Sequence, residues 1–574
     1  MSQRRIGVYI CHCGGNISDY VDVQAVLQAV RDEPGVAVAK TAQFTCSDAT
    51  QQEMIQDIRE QQLDGLVVAS CSPKLHLHTF RDVARRAGLN PYQYTQVNIR
   101  EQCSWAHTDD PAGATEKAIR LVRAGIARTG LTRPLEPLQV DTVPRVLIVG
   151  AGVAGLRAAL ALADVGLTVF LLEKEERPGG HVAALGTMYP HGVSGKELVK
   201  RLLDEVGQRA SITLLTRAEL VEKKGSMGDF QVKVRVGGAG GREMDLQVGA
   251  IIVATGFDTY RPPAGEYGFG SPGVVTLEEF NRLLEQTGDQ LTIDGRPVHS
   301  MAYIHCVGAG NGAEAPVPYC SRYCCNAAAH AAARVAQAWP QVSQYHFYRD
   351  LRTYGRYEML ATAALQAGSV FIRFPEEEPP QVQKQPGGRL TVAARDLLTA
   401  GDQVAVPVDL VVLVTGMVPR ADSALVEALK LPLGRDGFYS EIHPKLRPVE
   451  TVVDGVYICG SCQGPKNSAE SVTSALAAAA QCAALLKKGH VELEPLVVTV
   501  HPERCTGCGD CLTTCPYTAL EQSGPGAPVQ VNRALCKGCG GCVPLCPQGA
   551  LDLEGYSDAQ LTVMIDALLK ESKT

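Results

Sequence analysis

The sequence predicts an α/β multidomain protein, and three observations predict it. Short β-branched runs alternate with helix-spaced segments from the start of the chain, a glycine fingerprint follows a sharp strand at Arg145–Val149, and eight of the 20 cysteines form two matching runs near the end. At 574 residues the chain has room for about four modules of roughly 150 residues each.

The first module spans residues 1–132. Segments 6–10, 65–70 and 93–99 read as strands, and 23–31, 48–61, 74–87 and 114–128 carry apolar residues at helical spacing. That alternation predicts a parallel α/β layer. Cys11 and Cys13 follow the first strand, Cys46 follows a short extended stretch, and Cys71 ends Leu66-Val-Val-Ala-Ser-Cys71. Cys103 follows Asn98-Ile-Arg-Glu. Ligands of an open parallel sheet gather outside the carboxyl ends of its strands, so these thiols are expected to converge, four of the five holding a cluster. Scattered buried cysteines are the alternative. A linker with Pro134, Pro137 and Pro144 follows.

Residues 144–490 form the second module. Arg145-Val-Leu-Ile-Val-Gly150-Ala-Gly152-Val-Ala-Gly155 runs from strand through turn to helix, and Thr168–Leu172 leads to Glu173. Gly150 suits the turn, Gly152 a close pyrophosphate, Gly155 helix packing and Glu173 a ribose hydroxyl, with Lys174 beside it. Pro178-Gly179-Gly180, the Ala254-Thr255-Gly256 station and Gly455-Val-Tyr-Ile-Cys-Gly460 resemble three stations of two-dinucleotide-domain flavoproteins such as thioredoxin and glutathione reductases. The resemblance implies a thioredoxin-reductase-like fold binding FAD, from about 144–260 and 425–490. Those relatives carry Gly-Asp at the last station and this chain has Gly460-Ser461, so Ser461 is the candidate replacement. A helix from Ser468 would aim its positive end at the flavin, with Lys466 just before it; an ordinary solvent lysine is the competing reading.

Between those halves, in a lobe of about 298–424, Gly308-Ala-Gly310-Asn-Gly312 has the glycine order of a second nucleotide turn, but Pro316 and Pro318 fall where its helix should run. Retained NAD(P)H binding is therefore the minor expectation. Cys306, Cys320, Cys324 and Cys325 stand there instead, enough to hold a third cluster beside the flavin; a redox disulfide or plain buried thiols are the alternatives. The proline- and Glu-rich stretch 375–388 reads as a solvated excursion.

Residues 498–553 repeat Cys505-x2-Cys508-x2-Cys511-x3-Cys515-Pro as Cys536-x2-Cys539-x2-Cys542-x3-Cys546-Pro. This resembles the bacterial two-cluster ferredoxin run, which implies two 4Fe-4S clusters and a fourth Cys that ligates the other cluster. One cluster would take Cys505, Cys508, Cys511 and Cys546, the other Cys536, Cys539, Cys542 and Cys515. Paired zinc knuckles are the competing reading. The tail, 554–574, contains a helical pattern from Ser557 to Lys570.

Lys plus Arg total 54 against 61 Asp plus Glu, a net charge of -7, which gives no basic field for nucleic acid. No apolar run reaches the ~20 residues of a membrane span. The polar start lacks a secretory pattern, so a cytoplasmic chain is expected.

The order of parts resembles the A-type subunit of heterodisulfide reductase. The likeness rests on Val8-Tyr-Ile-Cys11-His-Cys13-Gly-Gly-Asn16, Val67-Val-Ala-Ser-Cys71-Ser-Pro73, Asn98-Ile-Arg-Glu-Gln-Cys103-Ser-Trp105, Tyr319-Cys320-Ser-Arg-Tyr-Cys324-Cys325, Gln463-Gly-Pro-Lys466 and the closing repeat. Longer members insert a further ferredoxin module after Pro-Gly-Gly; here Gly180 continues to His191 without a cysteine. The resemblance implies electron bifurcation between a two-electron donor, a disulfide-reducing partner and ferredoxin. It also implies B-type and C-type heterodisulfide reductase partners, a hydrogenase or dehydrogenase as electron input, and a homodimer within the complex. Two other readings stay open: an NAD(P)H-dependent iron–sulfur flavoprotein similar to the small subunit of glutamate synthase, and a passive relay with a structural flavin.

Overall fold

The computed structural model describes residues 4–238, 240–310, 316–420 and 422–570. The chain divides into two compact units, one of Met1–Val140 with Glu492–Thr574 and the other of Asp141–Val491.

In the first unit four parallel strands lie in the order Val36–Ala42, Ile6–Cys11, Gly65–Ser70, Tyr94–Asn98. Ile6–Cys11 and Gly65–Ser70 are buried along their whole length, as central strands covered on both faces must be, and both read as continuous apolar runs. Val36–Ala42 is an edge strand, only half-buried, which is why its pattern is faint in the sequence. Helix Pro111–Gly130 starts where the Asp110 side chain accepts from Gly113 N. The closing helix Asp558–Leu569 begins with a capping box at Ser557 and Gln560. Just before it, Arg128 donates to Gly555 O at 2.8 Å and lies over the Tyr556 ring, 3.9 Å from its centre. The cysteine repeats sit between two short antiparallel pairs, Val498–Val500 with Leu551–Leu553 and Leu520–Gln522 with Val529–Val531.

The second unit holds two five-stranded parallel sheets. The first runs Ile212–Leu215, Thr168–Leu172, Arg145–Val149, Ala250–Val253, Val456–Ile458. The second runs Val274–Thr276, Leu410–Thr415, Ser300–Val307, Ser343–Tyr348, Val370–Arg373. Strand Val274–Thr276 belongs to the inserted sheet, so that sheet starts upstream of residue 298; three residues are too few for periodicity to register. Stretch 375–388 is not wholly an excursion, because Gln381–Lys384 pairs antiparallel with Leu390–Asp396 and forms an edge of a three-stranded sheet.

Helix Ser468–Lys487 is long and apolar enough, by length and composition alone, to cross a membrane. Its Ala475, Ala478, Ala479, Cys482 and Leu486 are buried in the same core as Leu156, Ala159 and Leu160 of helix Val153–Asp164. The small Ala side chains allow that close helix–helix approach, and the helix serves as a core element of the lobe.

Candidate functional site

The glycine turn is built as a cradle. Gly150 has φ +105°, and a Cβ on Gly155 would fall 1.9 Å from Gly150 O, so helix Val153–Asp164 can approach the turn only without a side chain there. The Glu173 carboxylate is mostly buried, accepts from Ala151 N at 3.0 Å and from Glu175 N at 3.0 Å, and thereby braces the turn. Gly179 donates to Ala151 O at 2.8 Å and bridges Gly152, bringing Pro178-Gly179-Gly180 against the turn. Lys174 instead points to the surface and pairs with Glu219 at 3.3 Å.

Ala254 N donates to Val149 O at 2.8 Å, placing Ala254, Thr255 and Gly256 at the end of the neighbouring strand. Thr255 Oγ1 is buried without a hydrogen-bond partner, and an added Cβ at Gly152 or Gly256 would meet open space. An orphaned hydroxyl beside an open glycine-lined groove fits a dinucleotide whose polar atoms complete the bonding. Gly460 N donates to Ser474 Oγ at 3.2 Å, and Ser461 lies in the short 3-10 turn Gly460–Gln463. Ser468 opens the long helix, capped by Asn467, whose side chain accepts from Glu470 N at 2.9 Å. Lys466 is half-buried and donates to Gln463 Oε1 at 3.3 Å. Burial pulls its ammonium below the usual lysine value, against the opposing pull of Cys462, Glu441 and Glu470. Cys459, Cys462 and Cys482 are all buried.

In the cysteine repeats, the thiols that act on Cys511 are Cys508, Cys505 and Cys546. Those that act on Cys542 are Cys536, Cys539 and Cys515. The chain therefore brings the fourth Cys of each run to the other run's first three, and one cavity is lined by Cys505, Cys508, Cys511 and Cys546 together. Burial raises Cys511 and pushes Cys542 up to about 11, which disfavours free thiolates there. Ala519 N donates to Cys515 Sγ and Ala550 N to Cys546 Sγ, each at 3.3 Å, a matched pair of donors for thiolate ligands. Two sets of four sulfurs with backbone donors suit two clusters. Among the described residues no three His, Cys, Asp or Glu side chains are drawn together as a site for a single metal ion.

In the inserted lobe, Cys306, Cys320, Cys324 and Cys325 also meet. Cys325, Cys306 and Cys320 all act on Cys324, raising it well above the thiol range, the hydrogen bond to Cys325 first. Cys325 is the opposite case. The hydrogen bond from Cys324 lowers it against burial, with His305 adding to the effect. Cys306 and Arg322 adopt the left-handed conformation, φ +60° and +61°, which non-glycine residues take only when the surroundings impose it. Arg322 N donates to Cys320 Sγ at 3.3 Å, and the Arg322 guanidinium pairs with Glu470 in the first turn of helix Ser468–Lys487.

The second glycine turn is altered. A Cβ on Gly308 would lie 2.3 Å from the Tyr260 ring, so this chain's own tyrosine covers the turn. The following helix starts only at Cys324. Gly312 of the motif lies outside the described residues.

In the first module, the structure gathers four of the five thiols. Cys11 and Cys13 act on both Cys46 and Cys71, whose thiols burial raises, Cys71 to about 11. Thr45 N donates to Cys11 Sγ at 3.4 Å. Cys13 has φ +55°, a third strained position at a cysteine site. Cys103 is fully enclosed in a core with Val97, Ile99, Ala114 and Ala118, and burial pushes it up to about 11 against Lys117.

Three residues about these sites are not legible from local sequence: Arg100, Arg322 and His305. Cationic and imidazole side chains next to cysteines in the sequence are the one signal that marks them, and it marks many surface residues equally.

Residues 144–342 match the family described as pyridine nucleotide-disulphide oxidoreductase, and residues 504–551 the 4Fe-4S dicluster domain. The chain is 36% identical over 601 residues to the second A-type iron-sulfur subunit of the CoB--CoM heterodisulfide reductase of Methanopyrus kandleri, covering 90% of this chain and 91% of that one. It is 36% identical over 654 residues to the A-type subunit of the H(2):CoB-CoM heterodisulfide,ferredoxin reductase of Methanothermobacter thermautotrophicus, covering 100% and 98%. Among solved structures, T. acidophilum thioredoxin reductase aligns with 60% of this chain and 99% of its own, at 19% identity and a TM-score of 0.41.

Proposed function

The chain belongs to the family of A-type heterodisulfide reductase subunits, and from that membership we propose that it is the electron-transfer subunit of a heterodisulfide-reductase-like complex. It is an oxidoreductase that carries FAD and, within residues 504–551, two 4Fe-4S clusters. In this reading its reaction is bifurcation, the electron pair of a donor being divided between a disulfide-reducing partner and ferredoxin. The name of the Methanothermobacter relative, which joins H2, a heterodisulfide and ferredoxin, supports that class of reaction. Partners of the B and C type, a hydrogenase or dehydrogenase as electron input, a homodimeric state and a cytoplasmic setting complete the proposal.

FAD, when bound, supplies one- and two-electron exchange, and each cluster one-electron exchange. Gly150, Gly152, Gly155, Glu173, Gly179, Gly180, Ala254, Thr255, Gly256, Gly460, Ser461 and Ser468 are assigned to hold the dinucleotide. Lys466 places a partly desolvated ammonium next to the amino end of helix Ser468–Lys487, where both favour negative charge. Cys505, Cys508, Cys511 and Cys546, and Cys536, Cys539, Cys542 and Cys515, are assigned to the closing clusters. We assign a third cluster to Cys306, Cys320, Cys324 and Cys325, and a fourth to Cys11, Cys13, Cys46 and Cys71.

The observation that carries this reading is the pairing of Arg322 with Glu470. It ties the four-thiol loop of the inserted lobe to the helix that opens beside the dinucleotide cradle, so a cluster there would lie next to the flavin. The test is anaerobic preparation of the full chain with iron, sulfide and flavin counted. About 16 iron atoms per chain, four for each of four clusters, with one FAD and no bleaching by NADH or NADPH, is the expected result. Iron sufficient for two clusters only, or rapid bleaching by either nucleotide, would overturn it in favour of a self-sufficient NAD(P)H enzyme.

A further inference from the structure

The side-chain amide of Gln463 is the centre of a closed hydrogen-bond network. Its Oε1 accepts from Lys466 Nζ at 3.3 Å and from Ser474 Oγ at 3.0 Å. Its Nε2 donates to Pro448 O and, at 3.4 Å, to Glu441 Oε2. Ser474 Oγ in turn accepts from Gly460 N at 3.2 Å. The network joins the turn Gly460–Gln463, the second turn of helix Ser468–Lys487 and the loop that carries Glu441 and Pro448.

A primary amide has an oxygen with two lone pairs and a nitrogen with two N–H donors, and all four are used here. Turned over, the amide would set N–H against the Lys466 ammonium and oxygen against the Pro448 carbonyl and the Glu441 carboxylate. Its orientation is therefore fixed, with the oxygen toward Lys466. Lysine is a point charge on a flexible four-carbon stem, so the field it exerts at one spot depends on what holds the ammonium. Gln463 anchors that ammonium as a neutral acceptor, without cancelling its charge as a carboxylate in the same place would. The carboxylates that act on Lys466 are Glu441 and Glu470. Glu441 is bound to the amide nitrogen, and Glu470 accepts from Asn467 N at 3.0 Å and from the Arg322 guanidinium.

We propose that Gln463 is a positioning residue that holds the Lys466 ammonium beside the dinucleotide cradle and thereby raises the reduction potential of the flavin. The proposal rests on the reading that places FAD in that cradle, next to Lys466 and the amino end of helix Ser468–Lys487. A fixed positive charge there favours the more negative, reduced flavin, whereas a lysine free to swing into water is screened.

The test uses the full chain prepared without oxygen, with the FAD-to-protein ratio measured and the flavin midpoint read by spectroelectrochemical titration in every sample. Gln463→Met and Lys466→Met are each expected to lower the reduction equilibrium of the flavin about tenfold, ~30 mV for a two-electron couple, at one FAD per chain. Gln463→Met added to Lys466→Met should give no further shift, because the glutamine acts through the lysine. Gln463→Asn, which keeps an amide in the turn but falls one methylene short of Lys466, should reproduce the shift where the Met variant folds poorly. Amine labelling followed by peptide mass spectrometry should show Lys466 reacting faster in both Gln463 variants, with or without FAD. An unchanged midpoint in the Gln463 variants while Lys466→Met lowers it, or a full further shift in the double variant, overturns the positioning role alone. An unchanged midpoint in Lys466→Met at one FAD per chain overturns the placing of Lys466 beside the flavin, and the positioning role with it.

Discussion

Arg100 Nη1 lies 3.4 Å from the sulfur of Cys13, while its Nη2 donates to Glu101 at 2.8 Å. The guanidinium also packs 4.5 Å from the centre of the Trp105 ring, which fixes its plane. A charged donor held this firmly on a thiolate contributes about 1.5–3 kcal/mol. Arg100→Leu should therefore shift the potential of the first-module cluster about tenfold, ~59 mV, to the negative side, and leave the other clusters in place. An unchanged potentiometric titration would refute the contact's role.

The cysteines of that module separate by test. Cys46→Ser should lose about four iron atoms, one cluster's worth, from the anaerobic preparation. Cys103→Ala should keep all its iron and lose only stability, about 1 kcal/mol, as a small buried deletion does. The reverse pattern in iron assays would exchange the two assignments.

Gly155→Ala puts a methyl where Gly150 O already stands, 1.9 Å away. The helix and turn must separate, at a cost of about 1–3 kcal/mol. The purified variant should show a reduced FAD-to-protein ratio by absorbance and a lower thermal midpoint. Retention of one FAD per chain at unchanged midpoint would contradict the cradle.

Burial pushes the His346 imidazole well below its ordinary value, with His305 adding to the effect. The unfolded chain, titrating near 6.5, then binds a proton that the folded chain refuses, so stability is full above about pH 6.5 and falls as pH drops below it. His346→Leu removes this slope. Its thermal midpoint should fall less between about pH 6.5 and pH 5 than that of the unaltered protein, and parallel curves would show that His346 does not titrate on unfolding.

Several features were legible in the sequence because they are local. The two closing cysteine runs bind through short spacings, and the glycine turn at Gly150–Gly155 needs only a strand, a turn and a helix in succession. The parallel layer of the first module follows from alternating patterns, and the central strands, buried throughout, show the strongest runs. What tertiary structure alone decided depends on pairs far apart in the chain. Cys103 sits beyond the strand end like its neighbours, yet the helix Pro111–Gly130 encloses it, while Cys46 is carried in to Cys11 and Cys13 by an edge strand too exposed to stand out. Arg322 meets Glu470 and His305 meets His346 across separations of 148 and 41 residues. Spacing along a chain constrains groups a few bonds apart, but the direction of a side chain across a sheet is set by register and packing. The composition therefore determined which chemistry this protein can hold, and the fold determined which atoms hold it.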